Sequence, residues 1–136
     1  MTGQLMKFST RAEYGLKAMA NLAKDFPAQK TVRDISRAEN ISVKYLERLM
    51  GELRNKKLLK SQKGKSGGYV LARKPGAIKV GEIVEILDGP IAPMKCVGKF
   101  CALEYQCSSS FVWEKVGAQI KKTLYAIKLS ELIYKK

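Results

Sequence analysis

The sequence holds no histidine and only three cysteines in 136 residues. With no histidine, and no other pattern that sets a general base beside a nucleophile, the chain offers nothing for acid–base or nucleophilic catalysis. It is not expected to be an enzyme, and no small-molecule substrate is implied. An odd number of cysteines is no disulfide framework. In a reducing cytoplasm three thiols read as ligands, redox groups or small apolar filler. No apolar run approaches the roughly eighteen residues of a membrane-spanning helix. No signal-peptide pattern is present either, so the expected location is the cytoplasm, with no membrane partner. Lys65-Ser66-Gly67-Gly68 lacks the glycine–lysine spacing of a phosphate-binding P-loop, which removes nucleotide binding.

Acidic residues are also scarce: 12 Asp+Glu stand against 26 Lys+Arg, a formal net charge of +14. Such a surplus suits a polyanion, because each phosphate neutralised releases condensed counterions. Affinity for RNA or a membrane surface would carry the same charge, so pattern must decide. The length suits one domain able to bury a core without staples. Within it, the expected organisation is a DNA-binding unit over 6–90, a cysteine loop over 91–110, and a dimerisation helix with a terminal helix over 111–136.

The stretch from Thr31 to Arg73 organises the rest. Leu46, Leu49, Met50 and Leu53 recur at helical spacing, with Ser42 as a good N-cap, and Lys44, Tyr45, Glu47, Arg48 and Asn55 cluster on the opposite face. Upstream, Val32, Ile35 and Ala38 mark a shorter helix capped by Thr31. Glu39-Asn40-Ile41 between them has helix-turn-helix length, and Asn40 tolerates the left-handed conformation. Downstream, Leu58–Gln62 and Tyr69–Arg73 read as short strands flanking a basic glycine-rich turn. Helix, turn, helix and basic hairpin in that order make a winged helix-turn-helix. Each piece alone is equally the pattern of a surface helix or a soluble turn.

Thr10 is expected to open an earlier helix, with Glu13 closing a capping box and Ala12, Gly15, Met19, Leu22 and Phe26 facing inward. Lys7, Arg11 and Lys17 are expected near the DNA side. Past the hairpin, Val80, Ile83, Val84 and Leu87 predict a helix stopped by Asp88-Gly89-Pro90. Phe111 to Ile127 is the longest predicted helix, with a stripe of Trp113, Val116, Ile120, Leu124 and Ile127. Two half-sites on DNA demand a two-fold dimer, so this stripe is the expected seam, the alternative being packing onto its own domain. A short turn over Leu129–Tyr134 is expected to be capped by Ser130. The fold class is thus mainly α with a small β-hairpin wing, extended by a long C-terminal dimerisation helix.

Cys96, Cys101 and Cys107 fall within twelve residues of an aperiodic stretch, close enough to converge on one centre. Structural zinc favours Cys-x2-Cys pairs, which this spacing does not supply. Iron–sulfur clusters take thiolate ligands and suit wider spacings, yet normally need a fourth ligand.

Taken together, several motifs resemble the Rrf-two family of bacterial transcriptional regulators, from Met6 onward over nearly the whole chain. They are Met6-Lys-Phe-Ser-Thr-Arg-Ala-Glu-Tyr-Gly15, Ile41-Ser-Val-Lys-Tyr-Leu-Glu47, Gly67-Gly68-Tyr69-Val-Leu71, Val80-Gly-Glu82, the three cysteines and Leu129-Ser-Glu-Leu132. The resemblance implies a homodimeric winged-helix repressor or activator that binds a double-stranded operator. It also implies a 2Fe–2S or 4Fe–4S cluster on Cys96, Cys101 and Cys107 whose occupancy alters DNA choice. Ser42, Lys44, Tyr45, Glu47 and Arg48 would face bases or phosphates; Lys63, with Lys65 beside it in the wing, would enter the minor groove. Cluster-binding members with a histidine three residues after the last cysteine have it where this chain has Ser110, and five residues between the first two cysteines where this chain has four. In other members an acidic residue of the first helix is the fourth ligand, donated by the opposite protomer. Glu13 matches that position and competes with its capping role. The other standing function is a cluster-free regulator acting as a thiol redox sensor or through a protein partner.

Overall fold

A computed structural model describes residues 8–64, 67–91 and 109–133. Helix α1 (Thr10–Lys24) crosses the molecule and contributes Ala12, Gly15, Ala18, Met19, Leu22 and Ala23 to the interior. Its cap is Ser9, not Thr10: the Ser9 hydroxyl accepts from the Ala12 N–H at 3.2 Å. The one-residue shift comes from a distant partner, since Ser9 also donates from its backbone N–H to the Asp88 carboxylate at 3.0 Å and hydrogen-bonds it through the hydroxyl. Glu13 therefore lies beyond the position from which it could close a capping box.

Helices α2 (Val32–Glu39) and α3 (Val43–Asn55) follow. Thr31 and Asp34 form a reciprocal capping box on α2. Asn40 ends α2 at φ 58° and ψ 49°, the left-handed geometry that asparagine tolerates and that turns the chain toward α3. Of the α2 residues expected inside, Ile35 is buried, Val32 is half-buried and Ala38 is exposed, because so short a helix turns only one residue row inward. Leu46, Leu49, Met50 and Leu53 of α3 are all buried. Strands β1 (Leu59–Ser61) and β2 (Tyr69–Leu71) pair antiparallel, Leu59 opposite Leu71 and Ser61 opposite Tyr69.

After a 3-10 turn at Pro75–Ala77, α4 (Val80–Asp88) buries Val80, Gly81, Ile83, Val84 and Leu87. Arg73 reaches the Glu82 carboxylate at 2.6 Å, tying the exit of the wing to the first turn of α4. Burial pushes the Glu82 carboxyl up, but the Arg73 hydrogen bond and the Lys79 N–H outweigh it and hold the group below its ordinary value. Helix α5 (Ser110–Ala126) packs on α4, and α6 (Leu129–Leu132) turns back toward α1, with Leu129 fully buried. Ser130 does not cap α6. Lys128 holds that position, its N–H bonded to the Glu131 carboxylate at 2.9 Å, because the chain enters α6 through the pairing of Lys128 with Lys79.

Leu22, Ile35, Leu46, Leu49, Leu53, Leu58, Ile78, Ile83 and Leu129 meet in one core between α1, α3, α4 and the base of the wing. Among the described residues no buried side-chain polar atom lacks a hydrogen-bond partner. No described helix is long and apolar enough to cross a membrane.

Candidate nucleic-acid interface

The α3 helix begins at the molecular surface because Ser42 caps it there, accepting from the Tyr45 N–H at 3.1 Å. A hydroxyl that accepts one bond still has a hydrogen to donate, so Ser42 can also meet a phosphate. Lys44, Glu47 and Arg48 are exposed along one face of α3. Among the described residues no carboxylate forms an ion pair with Lys44, Arg48 or Lys63. Uncompensated cations on an exposed helix face are what phosphate contact requires. Tyr45 departs from the expected outward face: it is half-buried against the core, and its ring meets that of Tyr14 edge-on, centroids 5.7 Å apart at 87°. An aromatic ring at that turn gains more from a tyrosine on α1 than from water.

The wing stands beside α3. Lys63 is exposed near its tip; Lys65 lies outside the described residues. Its base is held from behind by Lys30, whose backbone pairs with Tyr69 on both sides, at 3.0 and 2.9 Å. The Lys30 ammonium is in turn fixed by Asn21, through its carbonyl at 2.9 Å and its amide oxygen at 2.7 Å, and by Asp25 at 2.6 Å. The hydrogen bond from Lys30 holds the Asp25 carboxyl below its usual range. Gly68, at φ 139°, lies so close to the Lys30 carbonyl that a Cβ there would sit 2.9 Å from its oxygen. Between α2, α3 and the wing runs a groove of about 530 Å³ lined by Thr31, Val32, Arg33, Val43, Glu47 and Tyr69. Neither Arg33 nor Lys30 stood out in the sequence; each takes its role from the wing, which is remote in sequence.

The α1 residues expected near DNA divide. Lys7 lies outside the described residues. Arg11 is half-buried and committed inside the protein, paired with Glu52 of α3 and donating from Nε to the Leu87 carbonyl at 3.1 Å. The Glu52 hydrogen bond raises the Arg11 pKa further above its ordinary value, against the opposing effect of burial. Lys17 is exposed, 3.7 Å from the Glu13 carboxylate and over the Tyr14 ring.

Cys96, Cys101 and Cys107 lie outside the described residues. Among those described, no group of three or more histidine, cysteine, aspartate or glutamate side chains comes together to hold a metal. Three thiols are a donor set that fits iron–sulfur chemistry. Glu13 is exposed and not engaged as a cap, its carboxylate facing solvent beside Lys17.

Helix α5 buries only Gly117. Leu124 and Ile127, the lower end of the expected seam, pack on Val80 and Val84 of the same chain. Trp113, Val116 and Ile120 are half-exposed, and Phe111 and Val112 beside them are exposed. On the α4 side, the Tyr125 ring covers Gly81, and the Tyr125 phenol donates to Glu85. Glu85 also accepts from the Ile91 N–H at 3.2 Å.

This arrangement of helices and wing recurs in solved structures. It matches CymR (YrzC), described as the global cysteine regulator of B. subtilis, with a TM-score of 0.78 at 34% identity, covering 97% of this chain and 100% of that one. It matches T. potens IscR with a TM-score of 0.72 at 34% identity, covering 94% and 86%. In sequence, the chain is 36% identical over 128 residues to the HTH-type transcriptional regulator CymR of Bacillus subtilis, covering 93% of this chain and 89% of the relative. It is 32% identical over 130 residues to the HTH-type transcriptional regulator IscR of Citrobacter koseri, covering 94% and 80%. These relatives are regulators of transcription, not enzymes. The family model described as "Iron-dependent Transcriptional regulator" (Rrf2) matches residues 8–135, and the chain belongs to the Rrf2 family of DNA-binding transcriptional regulators.

Proposed function

We propose that the protein is a cytoplasmic homodimeric repressor or activator that couples operator choice to iron–sulfur status, nitric oxide or redox conditions through a cluster on Cys96, Cys101 and Cys107. The observation that carries this reading is the grouping of three thiols within twelve residues, in the chain between α4 and α5. Ser42, Lys44, Glu47 and Arg48 read the major groove and its phosphates, Lys63 and Lys65 serve the wing, and Tyr45 supports α3 from behind. Trp113, Val116 and Ile120 face a second copy, with Leu124 and Ile127 fastening α5 to its own subunit.

When bound, a cluster supplies a centre that responds to oxygen, nitric oxide and iron supply. Glu13 of the partner protomer is the proposed fourth ligand. A carboxylate is harder and more exchangeable than a thiolate, which suits a site that must let go. Its exposure on α1, beside the Tyr14 that touches α3, supports a link between ligand and recognition helix.

Anaerobic purification with visible spectroscopy and iron and sulfide assay tests the reading. Cys101→Ala is expected to abolish iron and sulfide retention. Glu13→Gln should leave fold and dimer intact, since Ser9 caps α1, while shortening retention in air. Iron and sulfide held equally by the parent and Cys101→Ala would remove the cysteines from the site.

A second reading has specific support in the likeness to a regulator described as global for cysteine and to the oxidized form of Staphylococcus aureus CymR (TM-score 0.74, 30% identity). On that reading the thiols act by disulfide exchange, or the protein answers to a partner, and no iron is held. A colourless anaerobic preparation whose DNA affinity changes on thiol oxidation would favour it.

A further inference from the structure

Arg11 stands in the first turn of α1, where its charge suggests a phosphate contact. Its geometry points elsewhere. One guanidinium nitrogen pairs with Glu52, in the last turns of α3, and Nε donates to the Leu87 carbonyl in the last turn of α4. That carbonyl is one of the four a helix cannot satisfy internally, and a cation there is favoured by the helix dipole. Nearer the start of α3, Tyr14 meets Tyr45. Thus α1 grips the recognition helix near both ends, and the Arg11 grip alone also holds α4.

We infer that Arg11 is a positioning residue for DNA reading: it sets the angle at which α3 meets the groove, using the end of α4 as its fixed point, and does not touch DNA. The inference rests on α3 being the recognition helix. A half-exposed ion pair of this kind contributes little to stability, but a planar fork bonded in two directions constrains orientation strongly. A lysine could not replace it, because a single ammonium does not span the two acceptors in one plane.

The two roles make opposite predictions at Glu52. If Arg11 were a phosphate ligand restrained by Glu52, Glu52→Gln would release it and tighten binding to every duplex. If Arg11 positions α3, Glu52→Gln loosens the helix and weakens binding to the preferred sequence alone. The experiment measures the full-length protein by fluorescence anisotropy against two probes. One is a duplex selected by the parent protein from a random-sequence pool; the other is its scrambled counterpart. Arg11→Gln and Glu52→Gln are each expected to weaken binding to the selected duplex about tenfold, the scale of one lost base contact. Binding to the scrambled duplex and the slope of log affinity against log salt should not change. The double variant should be no weaker than either single one.

Tighter binding by Glu52→Gln, with a salt slope reduced by about one in Arg11→Gln, would make Arg11 a phosphate contact and overturn the proposal. Parent-like preference in both variants would overturn it as well. Circular dichroism melts check folding; if Arg11→Gln does not fold, Glu52→Gln carries the test. Lys44→Ala and Arg48→Ala separate this proposal from the reading beneath it. If they change sequence preference while Arg11→Gln and Glu52→Gln do not, only the positioning role falls. If they do not change it, the recognition-helix assignment falls and takes this proposal with it.

Discussion

The Tyr125 phenol donates to the Glu85 carboxylate, linking the last turn of α5 to the last turn of α4. Burial, and then the hydrogen bond and the negative charge of Glu85, push the Tyr125 pKa from 10.0 up to about 12. The folded state therefore favours the neutral phenol. Its contribution to stability is fully present below pH 10.0 and is lost as the pH rises through about 12. Urea midpoints measured across that window should fall more steeply for the parent than for Tyr125→Phe. Equal slopes would show that the hydroxyl contributes nothing to the α4–α5 junction.

Gly81 lies directly under the Tyr125 ring, in a place where a Cβ would overlap ring carbons. Gly81→Ala should lower stability by about 1–3 kcal/mol, the usual cost of overpacking a closed contact, unless the ring swings out. A parent-like urea midpoint would mean that it does, and the loss should then appear as an altered alkaline profile of Tyr125.

If the wing supplies charge and α3 reads bases, as proposed, variants of the two should behave differently. Lys63→Ala is expected to weaken binding to selected and scrambled duplexes alike and to reduce the salt slope by about one. Some preference for narrow A·T minor grooves should go with it. Glu47→Ala and Arg48→Ala should change which bases are preferred. Tyr45→Phe keeps the ring against Tyr14 and should bind like the parent. A marked loss in Tyr45→Phe would return the hydroxyl to the DNA surface.

Ile120 is the last member of the half-exposed run Trp113, Val116 and Ile120. A glutamate there would bring an unpaired charge into the proposed two-fold seam, at a cost of several kcal/mol by desolvation. Ile120→Glu is expected to sediment as a folded monomer with weakened operator binding. A dimer of unchanged affinity would move the interface off this stripe.

Most of the local structure was legible because its causes are local. Thr31, Asn40 and Ser42 act within a few residues of themselves, and periodicity alone identified the buried faces of α1, α3 and α4. The errors share another origin. Ser9 displaced Thr10 as a cap because of Asp88, Arg11 turned inward because of Glu52 and Leu87, and Tyr45 turned because of Tyr14. No local pattern reports a partner tens of residues away. In the candidate site, the exposed cations Lys44, Arg48 and Lys63 could be read directly, since exposure on an amphipathic helix or hairpin follows from pattern. The Lys30 anchor and the Arg33 side of the groove could not, because they acquire meaning only when the wing folds back on α1 and α2.

The pairing of Lys30 with Tyr69 also bears on how the protein behaves in a crowded cell. A two-stranded hairpin leaves both outer edges open, and an open edge is a template for another chain's strand. Lys30 occupies the outer side of β2 with both of its backbone groups, while β1 occupies the inner side. The Tyr69 amide should thus exchange with deuterium slowly for so short a strand. The outer edge of β2 is covered at Tyr69, and β1 carries an exposed lysine, Lys60. A small hairpin can then protrude from the surface with less of its edge open to the strands of other copies.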